Sequence, residues 1–369
     1  MVMLCGFTLR TPAQQADAQQ VSAKQVAAQD GGRSDSAFED TGVLDCGSEG
    51  SEKGLSAVFC GLVAGKVVCA GGANFPEIPA AHGGEKRYYR DVFRFDGRWE
   101  KCTELPCPLA YGGSFSVGGR MVIAGGNDGR GPVDKVFCIS SARGGVKVEE
   151  MDSVLPEALE QAGYASKGRN LYIAGGLSSG GVSRKVYKGR VKGKRIEWSA
   201  VAELPENLVQ PVAMVSNGHL LVWGGFDPEG KRASSTCWDI DLRSGECTES
   251  GQVPEGGTFT GATLLTLDDG RAAVIGGTHR ETFNRGLNAR GKQKEDYMSM
   301  PAGDYRFNRK IWIFNPARKS WSVPVESGRT ALAGAGCVCD SKYLYIIGGE
   351  TKPGVRTPQT WRIPLSSIK

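Results

Sequence analysis

Short apolar runs that end in two glycines recur along the chain and set its pattern of hydrophobic positions. A second apolar stretch precedes each run, and a third follows it after a polar loop. Short apolar runs bounded by glycine and polar turns are typical of β-strands. The runs are VVCAGG, MVIAGG, LYIAGG, LLVWGG, AAVIGG and LYIIGG, which end at Gly72, Gly126, Gly176, Gly225, Gly277 and Gly349. The third stretches are DVFRFD, KVFCIS, KVYKGR, TCWDID, KIWIFN and QTWRIP.

The spacing of these runs predicts a six-bladed kelch β-propeller, which is an all-β fold. Successive Gly-Gly pairs are 54, 50, 49, 52 and 72 residues apart, and a period of about fifty with this signature is that of kelch repeats. A fourth strand is marked by Trp99, Trp198 and Trp321 in three of the units. Four strands in each unit make six blades. We expect the paired glycines to let backbones approach closely near the central channel, where a side chain would clash.

The two ends of the chain differ from the repeats between them. Only eight residues follow Trp361, too few for a fourth strand with its turn. We therefore expect the stretch from Phe38 to Cys46 to complete the last blade, which closes the ring and removes exposed sheet edges. Residues 1–37 have a short apolar start and then many Ala, Gln and Ser residues. We interpret them as a leader or a disordered segment, and we assign residues 38–369 to the propeller.

Composition argues against several classes of function. The net charge of +5 is mild and the 45 basic residues are scattered, so we expect no nucleic-acid partner. No apolar run is long enough for a membrane span. The three histidines and 11 cysteines lack zinc-like spacing, and we expect no metal and no cofactor. Most cysteines fall in predicted strands, as small buried hydrophobes. Cys102 with Cys107, or Cys337 with Cys339, could pair only with favourable geometry, and the oligomeric state is not predicted.

Three polar loops after Gly-Gly pairs are the places where we expect chemistry, because propellers bind ligands on loops at one mouth of the channel. Residues 71–91 read GGANFPEIPAAHGGEKRYYRD and are long and polar. Residues 276–315 hold the extra length of the 72-residue step. Residues 348–357 read GGETKPGVRT, which places Glu350 directly after a Gly-Gly pair and Arg356 six residues later. Taken alone, such an acid and cation are also compatible with a surface ion pair.

These loops resemble those of the sialic acid mutarotases, also called N-acetylneuraminate epimerases, a family of kelch propellers. The segment GETKPGVRT is similar to the family's GEAKPGLRT-like segment. Residues 109–112, LAYG, resemble the family's RAYG without its arginine. The resemblance covers roughly residues 50–369. Its segment order, with GGANFP first and GETKPGVRT last, resembles the cyclically permuted branch, and a closed ring tolerates permutation. Elements similar to the family's IFNGY-like and DYFFN-like elements are Thr282-Phe283-Asn284 and Asp304-Tyr305-Arg306-Phe307-Asn308.

The resemblance implies an isomerase that interconverts the α and β anomers of N-acetylneuraminate by opening and reclosing the hemiketal ring. It implies Glu350 as the catalytic base. Arg356 is the candidate for binding the sugar carboxylate, since a guanidinium can form two parallel hydrogen bonds with a carboxylate. A second group must protonate the ring oxygen, and the candidates for it are Tyr305, Tyr111 and His82. The residues expected to bind substrate are Arg87, Lys86, His82, Asn74, Tyr111, Phe283, Asn284, Tyr305 and Asn308.

Alternatives stay open for substrate, function and location. The substrate could be another acidic or acetylated sugar, because the insertion differs in length from that of better-known members. The chain could instead be a non-catalytic kelch scaffold. A copper oxidase of the galactose-oxidase type is disfavoured by six blades and three histidines. The resemblance implies the periplasm or secretion, and the weak leader and many cysteines leave the cytoplasm as the alternative.

Overall fold

The structure, a computed structural model, describes residues 35–44 and 47–368. The leader or disordered segment expected over residues 1–37 therefore lies almost entirely outside the described residues, as does Cys46 of the expected closing strand. A short 3-10 helix (Asp35–Ala37) begins the described part. Asp35 accepts hydrogen bonds from Ser327 and Arg329 in the loop between the last two blades.

Four-stranded antiparallel sheets form the blades. The chain begins with β1 (Glu39–Val43) and then builds the first three blades. The first contains β2 (Phe59–Val63), β3 (Lys66–Ala70), a ribbon of β4 (Ala73–Asn74) and β5 (Arg87–Tyr88), β6 (Asp91–Phe95) and β7 (Trp99–Glu104). The second contains β8 (Gly113–Val117), β9 (Arg120–Ala124), β10 (Val136–Ala142) and β11 (Gly145–Glu150). The third contains β12 (Gly163–Lys167), β13 (Asn170–Ala174), a ribbon of β14 (Leu177–Ser178) and β15 (Gly181–Val182), β16 (Lys185–Lys192) and β17 (Arg195–Glu203).

The other three blades repeat this plan, so the predicted six-bladed propeller is confirmed. The fourth contains β18 (Val212–Ser216), β19 (His219–Trp223), a ribbon of β20 (Phe226–Asp227) and β21 (Arg232–Ala233), β22 (Thr236–Asp241) and β23 (Cys247–Gln252). The fifth contains β24 (Ala262–Thr266), β25 (Ala272–Gly276), β26 (Lys310–Asn315) and β27 (Ser320–Glu326). The sixth contains β28 (Gly336–Cys339), β29 (Tyr343–Ile347), a ribbon of β30 (Glu350–Lys352) and β31 (Val355–Arg356), and β32 (Gln359–Pro364).

The sixth blade is completed from the other end of the chain, as predicted. β1 pairs antiparallel with β32, and Glu39 lies opposite Arg362. A buried hydrogen bond of 2.7 Å joins the hydroxyl oxygens of Thr41 and Thr360. Hydrogen bonds between the two ends of the chain therefore close the ring.

Apolar clusters between neighbouring blades hold the ring together. The innermost strands β2, β8, β12, β18, β24 and β28 lie side by side around the channel. Each pair of neighbouring blades encloses a buried cluster of its own. The cluster between the fifth and sixth blades includes Ile275, Ile313 and Leu344, together with Phe38 from the start of the chain. Burying one such side chain contributes about 1.5–3 kcal/mol, so the N-terminal segment adds apolar packing as well as backbone pairing.

The nine described cysteines form no disulfide with one another, and this includes the two pairs considered above. Burial raises the pKa of the Cys237 thiol to about 12, and thiols kept protonated in this way behave as small hydrophobes. Among residues 35–44 and 47–368, His, Cys, Asp and Glu side chains form no group of three that could hold a metal ion. Within the same residues, no helix has the length and apolar character needed to cross a bilayer.

The Gly-Gly pairs are joints between neighbouring blades. In each pair the second glycine donates its N–H to a carbonyl of the next blade; Gly225, for example, donates to Thr258 O at 3.0 Å. The first glycine has a positive φ, which is +64° at Gly224. A Cβ at Gly224 would collide with the same Thr258 carbonyl, so only glycine fits the conformation and the space. The close backbone approach expected for these glycines therefore occurs where one blade meets the next.

The long insertion of the fifth blade is helical, whereas the sequence analysis treated it as an irregular loop. It contains α1 (Arg280–Asn288), α2 (Gly291–Ser299) and a 3-10 helix (Ala302–Tyr305). Phe283 and Leu287 of α1 are buried against Phe226 and Ala233 in the ribbon of the fourth blade. Residues four apart share one face of a helix, so this apolar pair was the signal for α1 in the sequence.

Candidate active site

A cavity of about 650 Å³ extends along the channel to the end at which the Gly-Gly strands terminate. At this end it is lined by Thr278 and Glu350, each of which directly follows a Gly-Gly pair. The helical insertion contributes Phe283 and Tyr297 to its wall. Glu350, Tyr111 and Phe283 are the predicted site residues that line the cavity.

Six residues, one from the start of each blade, surround the channel at this end, and we call them the mouth ring. Each has a φ between +55° and +72°. Backbone hydrogen bonds link neighbouring members: Gln161 N–H donates to Tyr111 O at 2.7 Å, and Gln210 N–H donates to Gln161 O at 2.6 Å. The members are Ala57, Tyr111, Gln161, Gln210, Gly261 and Gly334, and all six line the cavity.

The hairpin of β30 and β31 places the two predicted catalytic residues side by side. Glu350 is the cross-strand partner of Arg356. Arg356 Nη2 lies 2.7 Å from Glu350 Oε1, and the two side chains are 2% and 12% exposed. An arginine at this distance forms a charge-assisted hydrogen bond with a carboxylate oxygen. Arg356 therefore holds one oxygen of Glu350 in place at the cavity wall.

The first blade holds Arg356 from its other side. Arg356 Nε donates to Ser56 Oγ at 3.1 Å, and the centre of the Phe75 ring lies 4.7 Å from Arg356 Cζ. Arg356 Nη1 is buried without a hydrogen-bond partner among the described residues, and the same holds for the hydroxyls of Tyr111 and Thr278. A buried polar group without a partner costs about 1–3 kcal/mol. A polar ligand that reached these atoms would remove that cost.

Lys86 places a second cation next to the first. Its Nζ lies 4.8 Å from the centre of the Tyr111 ring and 5.8 Å from that of Phe75. Phe75 is therefore a neighbour of both Lys86 and Arg356. Burial raises the pKa of the Tyr88 hydroxyl, so this nearby group stays neutral. Two cations beside aromatic rings suit an anionic ligand that also has an apolar face.

A buried carboxylate and three amides, which the sequence analysis did not identify, lie in the second to fourth blades. Glu160 is 1% exposed and accepts hydrogen bonds from Asn127 Nδ2 at 2.9 Å and Gln161 Nε2 at 3.1 Å. Gln210 Nε2 in turn donates to Gln161 Oε1 at 2.6 Å. Burial raises the pKa of the Glu160 carboxyl, and the two amide hydrogen bonds oppose that rise.

The sequence did carry a signal for this part of the wall. The segments LPCPLAY, LPEALEQ and LPENLVQ repeat the spacing LP-x-x-L and end at Tyr111, Gln161 and Gln210. Each of these residues is a member of the mouth ring. A polar or aromatic residue that recurs at one position of the repeat, with one residue between it and an innermost strand, marks the channel wall.

Three residues expected to bind substrate in the first loop have other surroundings. Arg87 pairs with Glu77 at 2.5 Å on the exposed side of the loop. Asn74 is 1% exposed; its amide group donates to Gly50 O and Gly54 O and accepts from the Tyr89 hydroxyl. His82 ends an exposed 3-10 helix (Ala80–His82). None of these three side chains lines the cavity that the described residues form.

The insertion residues also divide into cavity wall and internal support. Phe283 lines the cavity and packs edge-to-face on Phe226 at 5.1 Å. The Asn284 side chain accepts a hydrogen bond from Ala233 N–H. The Asn308 side chain donates to Gly276 O and Lys310 O. The buried Tyr305 hydroxyl donates to Tyr297 O. These three side chains use their polar groups to hold the insertion and its connections in place. Phe307 lines the cavity and also packs with Tyr305 and Tyr297, so it belongs to both the cavity wall and the internal support.

The fold and site define a six-bladed β-propeller with an acid–cation pair at one mouth of its channel. A family sequence model described as N-acetylneuraminate epimerase matches residues 153–368, more than half of the chain. The chain therefore belongs to the N-acetylneuraminate epimerase family. The matched region contains the helical insertion, Glu350 and Arg356, whereas Ser56, Phe75 and Lys86 lie before it.

Curated relatives agree with this assignment, and a solved structure shares the fold. The N-acetylneuraminate epimerase of Salmonella arizonae is 28% identical over 56% of this chain and 57% of its own. That of Pasteurella multocida is 28% identical over the same shares, and that of Escherichia coli is 28% identical over 57% and 60%. The chain thus spans little more than half the length of these relatives. A solved structure entitled "Structure of YjhT" shares the fold, with a TM-score of 0.50 and 24% identity over 57% of this chain and 64% of that one.

Proposed function

We propose that this protein is a sugar epimerase that interconverts the α and β anomers of N-acetylneuraminate by acid–base ring opening. The observation that carries the proposal is the Glu350–Arg356 pair, of which Glu350 lines the cavity, inside the region that matches the family. The reaction needs a base for the anomeric hydroxyl and an acid for the ring oxygen. It needs no oxidation and no group transfer, so side chains can supply all of its chemistry.

Glu350 is the proposed base. Its carboxylate faces the cavity, and its Oε1 is bound from behind by Arg356. The other oxygen, Oε2, accepts a long hydrogen bond of 3.4 Å from Gly354 N–H, and a sugar hydroxyl in the cavity would be a stronger partner for it. Proton transfer from the anomeric hydroxyl to Glu350 leaves an alkoxide that expels the ring oxygen and forms the open-chain ketone.

Arg356 and Lys86 are the proposed cations for the sugar carboxylate. Arg356 holds Glu350, and its unpartnered Nη1 offers a further donor. Lys86 lies beside the Tyr111 ring at the cavity wall. Charge-assisted hydrogen bonds to a carboxylate are about twice as strong as neutral ones, so these two residues favour an acidic sugar over a neutral one.

Among the three candidates for the general acid, the geometry favours Tyr111. Its ring lines the cavity, and its hydroxyl is buried without a partner among residues 35–44 and 47–368. Of the other candidates, Tyr305 donates its hydroxyl to Tyr297 O, and His82 lies exposed on the first loop. A phenol can give its proton to the ring oxygen as the bond breaks and recover it when the ring closes on the other face.

The test is anomer exchange followed by proton NMR. A sialidase releases the α anomer of N-acetylneuraminate, and the approach to anomeric equilibrium is recorded with and without protein. Glu350→Gln and Tyr111→Phe should each slow the enzymatic exchange about 100-fold or more. Glu249→Gln, on the exposed outer strand β23, is the matched control and should leave the rate unchanged.

The same experiment decides the substrate and the class of protein. Faster anomer exchange of another acidic sugar than of N-acetylneuraminate would identify that other acidic sugar as the substrate. Absence of acceleration with every acidic sugar would refute catalysis and favour the scaffold. We also propose the periplasm or the outside of the cell as the site of action, on the family resemblance alone. Fractionation of cells that express the full chain tests that location, and recovery with the cytoplasm would overturn it.

A further inference from the structure

The mouth ring is unequal around the channel. Its members in the fifth, sixth and first blades are Gly261, Gly334 and Ala57, which have at most a methyl group. Its members in the second, third and fourth blades are Tyr111, Gln161 and Gln210, which carry polar groups. Glu350 belongs to the sixth blade, on the open side of the ring. The three polar side chains form a wall on the opposite side, and we call them the mouth wall.

The amides of the mouth wall have a defined orientation. Gln161 Nε2 donates to a carboxyl oxygen of Glu160 at 3.1 Å, which turns the nitrogen of the Gln161 amide toward Glu160 and its oxygen away from it. The Gln161 oxygen then faces Gln210 and requires a nitrogen there, at 2.6 Å. As a consequence, Gln210 Oε1 is turned away from this chain of donors. It lies 3.5 Å from the place where Gly261 would carry a Cβ.

Gln210 Oε1 is therefore an acceptor presented at the channel. Gln210 lines the cavity, and no hydrogen bond to its Oε1 is found in the part of the chain that the structure describes. The absence of a side chain at Gly261 leaves space in front of this oxygen. A ligand group that donates a hydrogen bond fits there, and a second acceptor does not.

We propose that Gln161 and Gln210, oriented by Glu160, determine specificity by accepting a hydrogen bond at Gln210 Oε1 from the acetamido N–H of the sugar. The inference rests on the proposed function and deepens it. In a pyranose ring C2 and C5 are at opposite corners. When C2, with its carboxylate and anomeric hydroxyl, is at Glu350, the C5 substituent points across the channel to the mouth wall. In N-acetylneuraminate that substituent is the acetamido group.

The test compares two sugars in the anomer-exchange assay: N-acetylneuraminate and its 5-deoxy analogue, which has hydrogen in place of the acetamido group. Gln210→Leu keeps the approximate size of the side chain and removes the acceptor. We expect kcat/KM for N-acetylneuraminate to fall about 10-fold, mainly through KM, and that for the 5-deoxy analogue to change less than about 2-fold. Gln252→Leu, on the exposed outer strand of the same blade, should change neither value.

Glu160→Gln tests the positioning role with little change in shape. The new amide places an N–H₂ group in contact with the side-chain amide of Asn127 or Gln161. The amides of Gln161 and Gln210 are then no longer held in one orientation. We expect the preference for N-acetylneuraminate over the 5-deoxy analogue to fall by a similar factor, which a purely structural role would not cause. Equal losses for both sugars in the Gln210 and Glu160 variants would overturn this inference and leave the proposed function intact. If the wild-type protein does not accelerate anomer exchange, the proposed function and this inference are both overturned.

Discussion

Removing one partner of the Glu350–Arg356 pair should cost stability as well as activity, and the two losses can be separated. In Glu350→Gln the Arg356 guanidinium, whose side chain is 2% exposed, keeps its charge without a counter-ion. Breaking a buried pair in this way costs about 3–5 kcal/mol. With an unfolding entropy of about 2 cal/mol/K per residue over roughly 330 described residues, this corresponds to a fall in Tm of about 4–7 °C.

The double variant Glu350→Gln/Arg356→Met removes the isolated charge and should recover most of that loss, because the Met side chain packs on Phe75 without needing a partner. Its exchange rate should stay at the level of the single variant, since the base is still absent. Circular dichroism during heating gives Tm, and proton NMR gives the exchange rate. An unchanged Tm in Glu350→Gln would refute the buried-pair argument. Recovered exchange in the double variant would refute Glu350 as the base.

Three further predictions test the joint between blades, the closing strand and the buried acid. Gly224→Ala should lower the free energy of unfolding by about 2 kcal/mol or more in urea titration, because the new Cβ would collide with Thr258 O at a residue with positive φ. Gly131 lies in open space, so the free energy of unfolding of Gly131→Ala should stay within about 0.5 kcal/mol of that of the wild type. A chain shortened to begin at Ser51 should melt well below one that begins at Asp35, since it lacks β1; equal Tm values would contradict ring closure by β1. Burial raises the pKa of the Glu160 carboxyl. This group therefore contributes its full stability at pH values below its ordinary pKa near 4.5, and it loses that contribution as pH rises through the raised pKa. The Tm of Glu160→Gln relative to the wild type should therefore rise as pH increases above about 4.5, and a constant difference would contradict the shift.

The propeller was predictable from the sequence because its determinants are local and repeated. The Gly-Gly joint needs glycine at two adjacent positions for conformational reasons, and it recurs in every blade. The closing strand followed from counting strands, since the sixth unit lacks one. The insertion was less readable because only Phe283 and Leu287 mark the buried face of α1, and the rest of the helix is polar.

Only some of the predicted site residues line the cavity, and the reason is physical. A polar side chain in a loop can face a ligand or satisfy nearby backbone groups, and the sequence does not distinguish these two uses. Asn74 and Asn308 bind backbone carbonyls, as buried amides in loops commonly do. Gln161 and Gln210 were missed because they lie in short connections just before innermost strands, outside the long loops in which ligand contacts were expected. Their function as wall residues depends on the ring, which brings three blades together.

The site also depends on how the ring closes. Arg356, in the last blade, donates to Ser56 of the first blade, and Gly349 N–H donates to Leu55 O across the same boundary. The proposed base therefore lies at the boundary between the first blade and the sixth blade, which β1 completes. Loosening this boundary frees Arg356 from Ser56 and Phe75, which leaves Glu350 without its fixed partner. We therefore expect loss of β1 to lower the exchange rate at temperatures where the shortened chain is still folded. Unchanged exchange in a folded chain that begins at Ser51 would show that the site does not depend on closure.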